Sequence, residues 1–172
     1  MVEYKQVLYD LRTTYNGPFL AEDFYAEIEN WIKENGFEKE PKKKMEHVTK
    51  NGKKIEWLIS IHSHLGEVYD EEITLRALLD NVKEIVINKN GEKIRINNGD
   101  VFVNVDGFIR GWHCATWWQL KPIYYFIRAL VDKYIYKFWS EKYDGGVQAD
   151  CHDLFKRIRS FFGLEKYKYT SL

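Results

Sequence analysis

The dipeptide Asn-Gly occurs three times in this chain, at Asn51-Gly52, Asn90-Gly91 and Asn98-Gly99. A two-residue hairpin turn needs positive φ at both central positions, and Asn followed by Gly tolerates that best. With such turns at the second and third sites, Ile87 faces Ile94, Ile85 faces Ile96, Ile96 also faces Val101, and Ile94 faces Val103. Six β-branched residues then share one side of three strands. A slip of one residue would scatter them, so the middle of the chain is an antiparallel sheet.

The first Asn-Gly predicts a less regular hairpin. Along Lys54 to Ser63, Ile55, Trp57, Ile59 and Ile61 alternate with polar residues and mark a buried face. A turn at Asn51-Gly52 sets Val48 opposite Ile55, Glu46 opposite Trp57 and Lys44 opposite Ile59. Charge against a buried face is costly. It implies either a bulge or frayed edge around Glu40–Lys44, or a sheet face lining a partly polar cavity. A further strand falls within Glu67–Leu78, carrying Tyr69, Ile73 and Leu75.

The flanks are predicted as follows. Val2 to Thr14 is strand-like until Asn16-Gly17-Pro18 breaks it, and proline suits the first turn of the helix that follows. In that helix Leu20, Phe24, Ile28, Trp31 and Ile32 share one face, and Gly36 ends it. Pro122 opens a long helix with Ile123, Ile127, Leu130, Tyr134 and Phe138 on one side. Tyr143 to Gly146 interrupts it. A last helix carries Val147, Cys151, Leu154, Phe155, Ile158 and Phe162 and closes at Gly163.

This order of elements resembles the helix-grip fold of the START/SRPBCC-like superfamily, over roughly residues 2 to 140. The resemblance implies an α+β domain with a curved antiparallel sheet of about six to seven strands packed on a long C-terminal helix. It also implies an apolar ligand cavity. The additional C-terminal helix, Cys151 to Phe162, departs from the pattern. No catalytic residue is implied, because the superfamily shares none.

Composition narrows the function. At 172 residues the chain is read as a single domain, 1–172. Lys+Arg and Asp+Glu are 26 each, and that balance argues against nucleic acid, whose binders need excess cationic charge. Charges in "MVEYKQVLYD" leave no signal peptide, so a cytoplasmic location is expected. Lys121, Arg128, Asp132, Lys133 and Lys137 break up Leu120–Trp139, the one candidate membrane stretch, so a chain that does not span is expected.

The constellations that could carry chemistry are few. His113-Cys114 and Cys151-His152 concentrate both cysteines, but adjacent residues diverge and zinc ligands are usually separated by two to four. His62 and His64 project to the same side of a strand, with Glu67 or His47 able to complete a metal or acid–base set. Asp100, Asp106 and Glu92 are carboxylates with nothing visible to position them. Lys39 to Lys44 with Lys50, Lys53 and Lys54 form a basic hairpin, read as a solvated edge or a contact for polyanions. No nucleotide-binding or hydrolase motif occurs, and no cofactor or metal is expected.

The leading expectation is therefore non-catalytic binding of an apolar or amphipathic small molecule. Trp57, Ile59, Ile61, Phe126, Leu130 and Tyr134 would line its site between sheet and helix. The alternative is a protein-interaction or assembly module, a homodimer included, using Trp117, Trp118, Tyr125 and Trp139. A third reading is an enzyme using His62 and His64, marked by polar groups converging on the histidines.

Overall fold

The computed structural model describes residues 2–50, 52–66, 69–89, 92–112 and 137–163. It is α+β. Strand β1 (Val2–Phe19) leads into helix α1 (Ala21–Glu34), followed by β2 (Glu38–Thr49), β3 (Gly52–His64), β4 (Tyr69–Lys89), β5 (Glu92–Trp112) and helix α2 (Lys137–Phe161). Among the described residues the strands form one five-stranded antiparallel sheet, ordered β1-β5-β4-β3-β2. Strands β2 to β5 are a meander. Because β1 joins β5 at one edge and β2 is the other edge, α1 carries the chain from one edge of the sheet to the other.

Alternation along the strands sends Trp57, Ile59 and Ile61 of β3, Ile73, Leu75, Ala77 and Leu79 of β4, and Val101, Val103, Val105 and Ile109 of β5 to one buried face. The apolar stripes of both helices close on it. Phe24, Ile28, Trp31 and Ile32 come from α1, and Val147, Cys151, Leu154 and Ile158 from α2, with Phe162 just beyond. Burying each large side chain contributes about 1.5–3 kcal/mol. The helices are also tied to each other: Trp31 Nε1 donates to Asp153 Oδ2 at 2.7 Å, and Arg157 bridges Glu27 and Glu34 at 2.6 Å each. Gly36 and Gly163 adopt the left-handed conformation expected of helix terminators, with φ of 70° and 68°.

The isoleucine register at the second Asn-Gly is as expected, with Ile85 opposite Ile96 and Ile87 opposite Ile94. At the third it is not. β5 runs straight through Asn98-Gly99, so Ile96 does not face Val101 and the described residues form five strands, not six to seven. Gly99 serves a different need. It passes a bulge in β4 between Asp80 and Lys83, where Asn81 has φ of 53°. A Cβ on Gly99 would stand 2.8 Å from the carbonyl oxygen of Asp80. Glycine is required there for close approach rather than for a turn.

Three further expectations are corrected. β1 continues through Asn16-Gly17-Pro18 to Phe19, so Pro18 lies in a strand and not in a helix. An edge strand accommodates it, because proline's missing donor costs nothing on the side facing away from the sheet. The first hairpin closes at Thr49 opposite Gly52, which pairs Glu46 with Ile55 and Lys44 with Trp57. The irregularity anticipated near Glu40–Lys44 is a bulge between Pro41 and Lys43, on an edge strand exposed along its whole length. Finally, α2 passes unbroken through Tyr143 to Gly146. Each glycine costs a helix about 1 kcal/mol, but burial of Val147 and the Lys5–Asp144 ion pair at 2.7 Å hold this turn down. The long helix expected from Pro122 lies outside the described residues up to Lys137, where α2 begins.

Candidate functional site

The residues that alternate with the core populate the opposite face of the sheet. Register places His64 of β3, Asp70 of β4, Arg110 of β5 and Tyr4 of β1 in one row across four strands. The next row holds Glu38, His62, Glu72 and Phe108. His64 Nδ1 lies 2.6 Å from Asp70 Oδ1, and Arg110 Nη2 donates to Asp70 Oδ2 at 3.1 Å. Arg110 Nη1 is 3.9 Å from Glu72 Oε2, and Ser60 Oγ donates to Glu72 Oε1 at 2.7 Å. His62 Nε2 stands 3.4 Å from Glu40 Oε2 on the neighbouring strand.

These groups border a pocket of about 210 Å3, walled by Gly36 at the end of α1 and by Glu38 and Glu40, and floored by His62, His64, Asp70 and Arg110. Burial alone would lower the Arg110 guanidinium's proton affinity. Hydrogen bonds to Asp70 and Tyr4, with the charges of Asp70 and Glu72, hold it above its usual range instead. The Glu40 carboxyl sits below its usual range because Lys42 donates to it, with His62 adding a smaller contribution. The Asp70 side chain is 7% exposed and that of His64 81%. A carboxylate can only accept a hydrogen bond, so in this contact His64 donates from Nδ1.

The histidine pair does share one side of β3, as its spacing predicts. His47, however, pairs with Lys54 and lies far along the strands from Glu38, the partner of His62. Among the described residues no group of three or more His, Cys, Asp or Glu could hold a metal ion. Cys151 is fully buried and His152 exposed, while His113 and Cys114 lie outside the described residues. Burial, followed by the charges of Glu71, Asp150 and Asp106, pushes the Cys151 thiol up to about 12, far from a reactive thiolate.

Asp100 and Asp106 are not brought together, being six residues or about 20 Å apart on one strand. Asn16 and Asn81 hold Asp100 below its usual range, whereas burial raises Asp106. The side chain of Glu92 lies outside the described residues. The basic hairpin is matched within the fold: Lys39 pairs with Glu29, Lys42 with Glu40, Lys43 with Glu56, Lys53 with Glu46 and Lys54 with Asp80. Lys44 lies over the Tyr25 ring. That pairing suits a solvated edge.

Of the apolar lining expected from the sequence, Trp57, Ile59 and Ile61 face the helices. Trp57 meets the rings of Tyr25 and Phe24, with centroids 4.5 and 6.4 Å away. Phe126, Leu130 and Tyr134 lie outside the described residues, as do Trp117, Trp118 and Tyr125. Trp139 falls in the first turn of α2, and its side chain also lies outside them. Among the described residues no helix is long and apolar enough to cross a membrane.

Sequence reasoning missed the partners of the histidines, because the register of Glu67–Leu78 could not be fixed. It also missed Glu71. Between Asp70 and Glu72, which lie on the other face of the sheet, Glu71 turns to the helix-covered side and is 1% exposed. Burial, with the charge and hydrogen bond of Asp150, pushes it up to about 7.

No protein-family model, curated protein or solved structure matches the chain.

Proposed function

We propose that the protein binds a small polar molecule in the pocket on the opposite face of the sheet, and that the molecule carries a positive charge such as an amine or guanidine. The observation that carries this reading is the commitment of the pocket's one arginine. Arg110 is held by Asp70 and Glu72, while Glu38 and Glu40 at the rim add further negative charge. A cation therefore meets complementary charge and an anion does not. The apolar-ligand and partner-docking readings keep their basis in the sequence, chiefly in residues 117–134.

The test is a thermal-shift and calorimetric comparison of small amines and guanidines with small carboxylates of similar size. Cations raise Tm through binding to the folded state, and Glu38→Gln with Glu40→Gln weakens binding by roughly tenfold while leaving the free protein's Tm nearly unchanged. Equal shifts from both classes, or none from either, would sink the proposal.

A second reading is favoured by the His64–Asp70 contact, which orients an imidazole as a proton acceptor beside a bound ligand. It predicts that His64→Ala leaves affinity for the cation nearly intact but removes any turnover of it.

A further inference from the structure

Two of the acids that line the pocket are each shared with a histidine. His64 Nδ1 lies 2.6 Å from Asp70 Oδ1, and His62 Nε2 lies 3.4 Å from Glu40 Oε2. The histidines stand two residues apart on β3, so alternation puts both on the same side of the sheet. All four residues border the pocket. Histidine is the side chain whose ordinary range puts its charge change between pH 5 and pH 8. A protonated His62 gives Glu40 a cationic neighbour, and a protonated His64 gives one to Asp70. A bound cation meets the same two carboxylates.

The other charged groups around the histidines come from every neighbouring element. From β2, Lys42 pairs with Glu40 at 2.6 Å, and Glu38 stands opposite His62. From β4, Glu72 is the register partner of His62 on its other side and accepts from Ser60 of β3. From β5, Arg110 holds Asp70 at 3.1 Å and lies 3.9 Å from Glu72. Tyr4 of β1 shares the row of Arg110, and the end of α1 brings only Gly36. Lysine, arginine and tyrosine ordinarily titrate well above neutrality and carboxylic acids well below it. Lys42 also holds the Glu40 carboxyl below its usual range. Glu71, pushed up to about 7 by burial, lies on the helix-covered face. Among the described residues of the pocket, the histidines are therefore the groups whose charge changes near neutral pH.

We propose that the pocket exchanges its cation for protons: the cation binds while His62 and His64 are neutral and leaves as they become charged. The exchange rests on the pocket's binding a cation, and adds what drives that cation off. Each protonated imidazole neutralises an acid that the cation uses and sets a like charge beside it. Linkage makes the effect reciprocal, so a cation that binds less well to the protonated pocket expels protons when it binds. The side chain of His62 is 16% exposed and that of His64 81%. Water and salt screen the charge of His64 more, so His62 carries the larger share.

Titration of the full chain with methylguanidinium, whose own charge is constant in this range, tests it at pH 8 and pH 6. Affinity should fall about tenfold between the two, as two ordinary imidazoles excluded by the cation require. At pH 6.5, calorimetry in two anionic buffers of different ionisation enthalpy should show about one proton released per cation bound. His62→Gln with His64→Gln should bind equally at both pH values, whereas Glu71→Gln should keep the fall. His64→Gln alone, at an exposed position, should reduce it to about threefold, and decides the matter if the double variant does not fold. Equal affinity of the unsubstituted protein at both pH values overturns the exchange and leaves the cation site standing. So does a fall that survives undiminished in either histidine variant or vanishes in Glu71→Gln. Absence of binding at pH 8 overturns the cation site itself, and the exchange with it.

Discussion

Asp70, Glu71 and Glu72 are three consecutive acids on one strand, and the two faces of the sheet treat them differently. On the opposite face, Asp70 and Glu72 have Arg110, His64 and Ser60 as hydrogen-bond or ion-pair partners. On the helix-covered face, Glu71 is buried, and among the described residues it has no ion-pair partner. One face surrounds its acids with polar side chains, while burial on the helix-covered face favours the neutral form of Glu71. A strand's alternation thus decides not only which residues are buried but which ionise.

The largest expected effect breaks the comparison on its apolar side. Leu75→Ala should cost about 3 kcal/mol, since Leu75 is fully buried beneath the helices, whereas Thr74→Ala next to it should cost under ~0.5 kcal/mol. Denaturant midpoints of the two variants check this. A similar cost for both would mean that the opposite face is as tightly packed as the covered one.

Next comes Arg110→Met, which takes the guanidinium donor away from the buried Asp70. A loss of roughly 2 kcal/mol is expected, less than for a fully buried pair because the Arg110 side chain is 20% exposed. Chemical denaturation reads it.

The smallest effect sharpens the comparison through pH. Glu71 has its folded-state pKa raised from the ordinary 4.5 to about 7. The stability it contributes is therefore complete below pH 4.5 and lost as pH rises through 7. Glu71→Gln should remove that decline, gaining roughly 1–2 kcal/mol on the unsubstituted protein between pH 5 and pH 8. Parallel pH profiles for the two proteins would contradict it.

What could be read from the chain follows the range of the interactions involved. The facing of Ile85 with Ile96 is legible because a two-residue turn fixes it locally. The role of Gly99 is not, since its reason is a bulge in another strand. The helical stripe from Phe24 to Ile32 is legible from its period, but the continuity of α2 through Gly145-Gly146 is not. Val147 and Lys5 secure that turn from outside the helix. The shared side of His62 and His64 follows from alternation alone. Their partners depend on a register that Glu67–Leu78 leaves open, and within "EVYDEE" nothing marks Glu71 as the acid that turns inward.

The strand order also has a consequence for how the chain is made. β1 is synthesised before the meander, yet its partner is β5: Tyr15 pairs with Val101 and Val2 with Trp112. At ordinary rates of translation, the 18-residue strand waits on the order of ten seconds before its partner exists. Its contacts are also among the most distant in the sequence, which makes them slow to form. During that interval β1 is a strand without a sheet, and both of its hydrogen-bonding edges are open to whatever the nascent chain meets first.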